Sequence, residues 1–415
     1  MNISNFSELG LAEPIQRALR TRNHVMPTPI QARAIPELLA GRDLLGIAQT
    51  GTGKTAAFAL PILHQLSRGR EDHGRRGPHA LVLAPTRELA IQIGDEFRAY
   101  ARYLNLRQTV IFGGVSQKPQ VNALTRGVDI LVATPGRLLD LMGQRRLGLG
   151  RVAFFVLDEA DRMLDMGFVR DVRKIVQALP ERRQTLLFSA TMPDAIARLS
   201  GEILVDPVRV EVTRQATPVE QVGQRIYHVA AAGKGALLAS ILDDPALSRV
   251  LVFARTKHRA NRVAEQLGRR GHAAEAIHGN KSQGARQRAL ERFRAGDARI
   301  LVATDIAARG IDVDGITHVI NYELPNQPES YVHRIGRTAR AGAGGEAFSF
   351  CDPTERGYLR DIERLIRRRL TVIGEVPAEA ASDRWNKPKT PPRHQRGRRR
   401  HGGNFKPAAS RHASP

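Results

Sequence analysis

The chain has very little cysteine and no long apolar run, and we expect no secretory leader. Cys351 is the only cysteine among 415 residues, which excludes an intrachain disulfide and a cysteine-rich zinc site and fits a reducing cytosol. No apolar run approaches the roughly 18–20 residues that a membrane-spanning helix needs. The N-terminus lacks the basic and apolar blocks of a secretory signal. We therefore expect a cytoplasmic protein with no membrane partner.

Acidic residues are scarce relative to basic ones. The chain has 64 Lys and Arg against 41 Asp and Glu, which gives a net charge of +23. So basic a balance indicates a polyanionic partner, with nucleic acid ahead of an anionic membrane surface. Ten Lys and Arg fall between Asp383 and Pro415 against one acid, among few apolar residues. We expect that segment to be disordered and to add salt-sensitive, sequence-blind affinity for RNA, unless it is only a solubilising tail.

The length favours more than one domain. A chain of 415 residues with 42% hydrophobic content exceeds one ordinary core. Apolar strand runs alternate with helical segments in both halves, and a polar stretch ending in Pro218 separates them. We expect a first α/β domain over residues 1–212, a hinge over 213–221, a second α/β domain over 222–370 and a basic tail over 371–415.

A glycine-rich loop lies between a predicted strand at residues 44–47 and a predicted helix at residues 55–63. Such a loop turns backbone N–H groups toward phosphate oxygens, and the helix N-terminus adds its dipole. Lys54 would supply charge to the β- and γ-phosphates, and the Thr55 hydroxyl can ligate Mg²⁺. The pattern therefore predicts ATP with Mg²⁺. The other loop residues expected at the nucleotide are Gln49, Thr50, Gly51, Thr52 and Gly53.

A second predicted strand runs into three carboxylates, Asp158, Glu159 and Asp161. Carboxylates this close repel one another, so a cation should lie among them, most simply a metal. Beside the phosphate-loop strand, Asp158 can hold Mg²⁺ and Glu159 can polarise the attacking water. Asp161 can accept hydrogen bonds from Ser189 or Thr191, which follow another strand. The alternatives are a solvated acidic turn and, for Ser189 and Thr191, capping of the next helix.

Several strand-to-helix turns present cations and backbone N–H groups. Turns at Arg87, at Gly114 and at residues 134–137 could follow a phosphate backbone without reading bases, although each alone could be a plain connection. The second half has no phosphate loop. It carries Arg337 and Arg340, whose spacing predicts one helical face aimed at a γ-phosphate held by the first half. A solvated basic helix start is the alternative.

The motifs, taken in order, resemble the DEAD-box ATP-dependent RNA helicases over roughly residues 6–345. Residues 158–161 spell the name of that family. Residues 161–168, 278–283 and 322–325 are most similar to its bacterial RhlE type. The resemblance implies two tandem RecA-like parallel-sheet domains. It also implies an enzyme that separates short RNA duplexes or remodels RNA–protein complexes.

The resemblance also assigns roles to residues. Phe6 and Gln31 would line the adenine pocket, Asp312 would lie near the ribose, and Arg337 and Arg340 would act as arginine fingers. Asp161, Ser189 and Thr191 would couple hydrolysis to strand separation. The positions that would follow single-stranded or short duplex RNA are Arg87, Gly114, Thr134, Gly136, Arg137, Gln283, Arg286 and Thr304.

The chain departs from the family in the adenine segment, where Asn23 and His24 replace a glycine and an aromatic residue. An imidazole can stack on adenine, but its charge varies near neutral pH. Two other functions stay open from the sequence, a DNA-directed helicase and an RNA chaperone acting mainly through the basic tail. The target also stays open among ribosomal precursor, degrading messenger and cold-stabilised duplex.

Overall fold

Two separate seven-stranded sheets organise the chain, and every strand pair in both is parallel. The computed structural model describes residues 3–49, 51–69, 77–212, 222–308, 313, 315–339 and 344–374. The predicted hinge at 213–221 lies outside the described residues, as does the chain from residue 375 onward. The α/β class with parallel sheets is confirmed.

The first sheet has the strand order β3-β4-β2-β5-β6-β1-β7. Its strands are β1 Leu44–Ile47, β2 Ala80–Leu83, β3 Gln108–Ile111, β4 Ile130–Ala133, β5 Phe154–Leu157, β6 Gln184–Ser189 and β7 Val208–Glu211. A 3-10 helix spans Phe6–Leu9, and the α-helices are α1 Glu13–Thr21, α2 Pro29–Leu39, α3 Lys54–Arg68, α4 Arg87–Tyr100, α5 Lys118–Thr125, α6 Pro135–Gly143, α7 Ala160–Asp165, α8 Val169–Gln177 and α9 Asp194–Ile203.

The second sheet repeats the pattern with the order β10-β11-β9-β12-β13-β8-β14. Its strands are β8 Val222–His228, β9 Val250–Phe253, β10 Ala274–Ile277, β11 Ile300–Ala303, β12 His318–Asn321, β13 Gly345–Cys351 and β14 Thr371–Ile373. A 3-10 helix spans Pro353–Glu355, and the α-helices are α10 Lys234–Leu242, α11 Lys257–Arg269, α12 Gln283–Ala295, α13 Asp305–Ala308, α14 Pro328–Ile335 and α15 Arg356–Ile366.

Short apolar strands and covering helices produce this architecture. The central strands β2, β4, β9 and β11 are buried at every position, because helices cover both faces of a parallel sheet. Each sheet accordingly has an apolar cluster on either face. Within the described residues, no helix is long and apolar enough to cross a membrane.

The second sheet extends further along the chain than we expected. Strand β14 pairs with β8 in parallel, with Val372 opposite Ile226, so the expected tail boundary after residue 370 is wrong. The reason is that three residues suffice for an edge strand, and the polar residues around them hide the pattern.

Asn23 ends helix α1 in the left-handed conformation, with φ of +55°. The His24 N–H then donates to the Leu19 carbonyl at 3.0 Å, which closes the helix end. Glycine is the usual residue at such a position, and asparagine is the common substitute because its short polar side chain tolerates it. This geometry explains the departure at residue 23.

Candidate functional site

The phosphate loop joins β1 to α3 as predicted, at the carboxyl edge of the first sheet. Gly51 and Gly53 adopt φ of +86° and +92°, which non-glycine residues rarely do. A β-carbon on Gly53 would lie 2.4 Å from Gln31 Nε2, so glycine is also required for space. The Lys54 ammonium is buried and makes no hydrogen bond within the described residues. A buried cation with unused donors at a helix N-terminus fits a bound phosphate.

The adenine segment packs beside that loop. Gln31 accepts a hydrogen bond from the Thr28 N–H at 2.9 Å and donates to the Gly53 carbonyl at 3.0 Å, so its amide joins α2 to the phosphate loop. Phe6 is buried in the first core, and its N–H donates to the Val25 carbonyl. The 3-10 helix that carries Phe6 packs against α2, which carries Gln31, and their shared adenine pocket stays a prediction.

His24 packs beside helix α4. Its ring lies 6.1 Å from the ring of Tyr100 on α4. Burial and the neighbouring Arg22 lower the pKa of His24. The lowered pKa favours the neutral imidazole near physiological pH.

The three carboxylates lie after β5, which is adjacent to β6 and two strands from β1. Asp158 is buried, and its Oδ1 lies 3.9 Å from the Lys54 ammonium. Burial raises the pKa of Asp158 to about 6, while Lys54 opposes the rise. Glu159 has φ of +54° and forms an ion pair with the buried Arg162. Part of the positive charge that the crowded carboxylates need is therefore supplied by the chain itself.

Arg162 was missed by the sequence reasoning. It follows Glu159 by three positions at the start of α7, a spacing that brings two side chains together on a helix. That spacing was the available signal. The arginine gives the Glu159 carboxylate a fixed partner.

Asp161 connects the acidic strand end to the end of β6. Its Oδ2 accepts hydrogen bonds from the Thr191 hydroxyl at 2.9 Å and from the Thr191 N–H at 2.9 Å. The Ser189 hydroxyl accepts from the Asp161 N–H at 3.2 Å and donates to the Thr191 carbonyl at 2.7 Å. Neither Ser189 nor Thr191 caps α9, whose N-cap is Pro193.

Arg337 does not lie on a helix. Helix α14 ends at Ile335, so the prediction that Arg337 and Arg340 share a helical face is wrong. The intervening Gly336 is the C-cap of the helix. Arg337 is nonetheless buried. Arg340, Asp312 and Thr50 lie outside the described residues.

Arg334 is the second residue that the sequence reasoning missed. It is 1% exposed and donates to both carboxylate oxygens of Asp305, at 2.6 and 2.7 Å. It also donates to Asn321 Oδ1 at 3.0 Å and to the Glu323 carbonyl at 2.7 Å. Its partners follow or end two different strands, β11 and β12, so no local sequence pattern indicated them.

The predicted RNA positions of the first half form one group. The Arg87 guanidinium fills the space beside Gly114, where a β-carbon would lie 2.3 Å from its nitrogen atoms. Burial lowers the pKa of Arg87, and Arg286 and Arg137 add to the effect. Arg137 donates to the Val115 carbonyl at 3.1 Å. Thr134 is the N-cap of α6, and Gly136 is in its first turn.

Two predicted RNA positions of the second half meet this group. Gln283 Oε1 accepts from Arg87 at 3.4 Å, and Gln283 Nε2 donates to Glu88 at 3.3 Å. Arg286 forms an ion pair with Glu88 at 2.9 Å. The third position, Thr304, follows β11 and accepts from the Ala308 N–H. The sequence did not indicate Glu88 as the anion at this contact.

One cavity of about 610 Å³ has walls from both halves. Gln49, Glu159 and Arg162 lie on its first wall, and Arg334 and Arg337 lie on its second. A carboxylate of the first half and a guanidinium of the second half therefore line the same cavity. Such an arrangement can hold a phosphate chain between a carboxylate and a cation.

Two family models match the chain, DEAD/DEAH box helicase over residues 28–199 and helicase conserved C-terminal domain over residues 233–342. The chain is 43% identical to the DEAD-box ATP-dependent RNA helicase CshA of Bacillus cereus over 368 residues, 89% of this chain and 69% of that protein. It is 45% identical to the ATP-dependent RNA helicase DeaD of Mycobacterium tuberculosis over 369 residues, 89% of this chain and 64% of that protein.

Solved structures of similar proteins have the same fold. Saccharomyces cerevisiae Dbp5 bound to RNA and ADP BeF3 superposes with a TM-score of 0.77 at 31% identity, covering 89% of this chain and 95% of that chain. A DEAD box protein from Methanococcus jannaschii superposes with a TM-score of 0.52 at 39% identity, covering 89% and 99%. The predicted RecA-like fold of each half is thereby confirmed.

Proposed function

This chain belongs to the DEAD-box family of ATP-dependent RNA helicases, and we propose that it hydrolyses ATP in the cavity between its two halves. The observation that carries the proposal is that Glu159 of the first half and Arg337 of the second half line the same cavity. RNA stimulates the ATPase, and the energy separates short RNA duplexes or remodels RNA–protein complexes. The residue roles below are part of the proposal.

ATP would bind with its phosphates on the loop before α3. The unsatisfied Lys54 ammonium supports a contact with the β- and γ-phosphates. The adenine would lie near Phe6 and Gln31, with the ribose toward Asp312. Binding would require the Gln31 amide to face the base edge as well as the Gly53 carbonyl.

Asp158 and the Thr55 hydroxyl are the residues that would hold Mg²⁺, partly through water. Both offer hard oxygen ligands. Among the described residues no cluster of three His, Cys, Asp or Glu could hold a metal ion by itself, which fits an ion that relies on nucleotide phosphates for further ligands. When bound, Mg²⁺ neutralises phosphate charge.

In the reaction Glu159 would orient the attacking water and accept its proton. Arg337 and Arg340 would stabilise the charge on the transferred phosphoryl group, an effect of roughly 10³–10⁵ in rate for arginine fingers. Because Lys54 and Arg337 come from different halves, the two halves must act together. The Asp161–Thr191 hydrogen bond would carry the change to the RNA side.

The RNA backbone would lie against Arg87, Gly114, Thr134, Gly136, Arg137, Gln283, Arg286 and Thr304. Contacts of this type position a strand and carry no base information, which supports weak sequence preference. Arg286 is engaged by Glu88, so a phosphate entering there would compete with that carboxylate. The basic tail would add sequence-blind affinity.

The test is Glu159→Gln, with the exposed Glu181→Gln as a matched control. Glu159→Gln should retain ATP and RNA binding while RNA-stimulated turnover falls by about 10²–10⁴. The control should behave as the parent. Near-normal stimulated turnover in Glu159→Gln would overturn the assignment of Glu159.

Two further comparisons separate the rival functions. Matched single-stranded RNA and DNA should differ in ATPase stimulation, with RNA the stronger, because an RNA site reads 2′-hydroxyl groups. Equal stimulation would favour a DNA-directed enzyme. Unwinding should be lost in Lys54→Ala, whereas full unwinding in that variant would favour a chaperone that acts through the tail.

We place the protein in the cytoplasm, on the support of its single, buried and unpaired cysteine. The RhlE type stays a prediction. Precursor ribosomal RNA and RNA-degradation complexes are the candidate targets. Sequencing of RNAs crosslinked to the full-length chain, compared with a chain truncated near Ala381, would identify the target.

A further inference from the structure

A second cavity, of about 430 Å³, lies between helices α10 and α11 in the second half. Four arginines line it, and no acidic residue does within the described part of the chain. Its other side is formed by small residues around the start of α10, including Ala232 and Gly235. So one-sided a lining would attract an anion.

The basic residues form a stripe along one face of α11. Arg259, Arg262, Gln266 and Arg269 follow one another at spacings of three, four and three residues, and Arg270 is the C-cap. Such spacings keep side chains on one face of a helix. From Arg259 to Arg269 the stripe spans about 15 Å at 1.5 Å per residue.

Most of this charge is not neutralised by the chain. Arg259 lies 3.6 Å from Glu323 Oε1. Arg262, Arg269 and Arg270 are exposed and form no ion pair with any described residue. An arginine of a solvated surface can lack a partner, but here three such arginines share one cavity.

Tyr322 supplies an independent observation. Its side chain is 5% exposed and lines the cavity, yet its hydroxyl makes no hydrogen bond with any described residue. Burial raises the pKa of Tyr322, Arg259 and Arg262 oppose the rise, and Glu323 adds to it. The hydroxyl oxygen itself is open to the cavity, where it can donate to a bound anion.

We propose that this cavity and the α11 stripe bind the phosphates of an RNA strand outside the cleft between the two halves. A linear polyanion fits a stripe of about 15 Å better than a compact anion does, because it can place successive phosphates along the helix. The stripe also begins near the cleft, since α11 follows β9, whose Phe253 lines the larger cavity. This inference rests on the proposed RNA helicase function.

The test compares two single-stranded RNAs, one just long enough to fill the cleft and one extended beyond it. The full chain is changed to Arg262→Gln with Arg269→Gln. Two exposed arginines of the first half, in Arg170→Gln with Arg182→Gln, give the matched control. Glutamine keeps helix propensity, and circular dichroism should show unchanged folding in both.

For the longer RNA, the double variant should bind about tenfold more weakly at roughly 0.15 M salt, because each phosphate contact contributes a salt slope of about −0.7. The magnitude of that slope should fall by about 1.4. The short RNA and its stimulated ATPase should be unchanged. The charge-conserving variant, Arg262→Lys with Arg269→Lys, should keep most of the salt dependence that the glutamine variant loses.

Three outcomes would overturn the inference. The longer RNA could bind the double variant as it binds the parent. The double variant could bind both RNAs more weakly by the same factor, which would mean that the arginines act through the overall electrostatic field of the protein. The double variant could bind inorganic tripolyphosphate more weakly than the parent does but bind the longer RNA equally well, which would assign the cavity to a small phosphorylated molecule. Failure of ATPase stimulation by the short RNA in the parent would instead refute the proposed function.

Discussion

Replacement of Arg334 tests whether the buried network behind Arg337 positions the proposed arginine finger. Arg334→Met removes the guanidinium that donates to Asp305, Asn321 and the Glu323 carbonyl. Asp305 is 28% exposed at its side chain and can recover water, whereas Asn321 is fully buried and cannot. Breaking a buried pair by removing one partner costs about 3–5 kcal/mol, and we expect that loss in the second half.

Arg334→Lys separates charge from geometry. A lysine keeps the positive charge but cannot reach both oxygens of Asp305 and the Asn321 carbonyl oxygen at once. We expect it to cost about 2 kcal/mol, roughly the value of one or two lost hydrogen bonds to charged groups. The exposed Arg364, which pairs with Asp361 at 3.0 Å, is the control, and Arg364→Met should cost under about 1 kcal/mol.

Arg334→Met should also reduce catalysis. The Arg337 N–H donates to the Arg334 carbonyl at 3.1 Å, so a shift of Arg334 moves the backbone that carries the finger. A displacement of about 1 Å can cost roughly 10² in rate, and we expect a fall of that order in the stimulated kcat with the Kd for ATP nearly unchanged.

Stability is measured by urea titration with circular dichroism, and catalysis by RNA-stimulated phosphate release. A free energy of unfolding of Arg334→Met within about 1 kcal/mol of the parent would show that the buried network contributes little to stability. A stimulated kcat of that variant near that of the parent would show that Arg334 does not position Arg337.

Three other predictions concern separate parts of the fold. Thr191→Val removes the 2.9 Å hydroxyl contact with Asp161 but keeps both backbone donors, so unwinding should fall about fivefold while the ATPase stays within about twofold; equal losses in both assays would contradict a coupling role. Asn23→Gly should leave stability equal or raise it by up to about 1 kcal/mol in urea titration, and Asn23→Ala should lower it by about 1 kcal/mol, because Asn23 is left-handed at φ of +55°; the opposite ranking would exclude the capping argument. Burial and nearby Glu355 raise the pKa of Cys351 to about 12, so a maleimide should react with Cys351 only on unfolding and be insensitive to pH between about 7 and 9 in the native protein; rapid native labelling that increases with pH would show an accessible thiolate.

Much of the site could be predicted from the sequence because its motifs are local. The phosphate loop follows from glycine spacing between a buried strand and a helix, and the acidic motif follows from an apolar strand that ends in carboxylates. These patterns depend on backbone geometry within a few residues, and residue type and spacing in a single sequence indicate that geometry. The helical placement of Arg337 failed for the complementary reason. A spacing of three residues predicts a shared face only while the helix continues, and α14 ends before Arg337.

The sequence by itself therefore determined the parallel α/β class, the phosphate loop and the acidic residues that follow β5. Only the tertiary structure decided which distant groups meet. Arg87 and Gln283 are 196 positions apart and touch, and Glu88 proved to be the anion that holds Arg286. Arg334 donates to Asp305, which follows β11, and to Asn321, which ends β12. These two strands lie close enough for one side chain because only β9 separates them in the sheet. Strand order of this kind is set by long-range packing of apolar faces, which local periodicity does not encode.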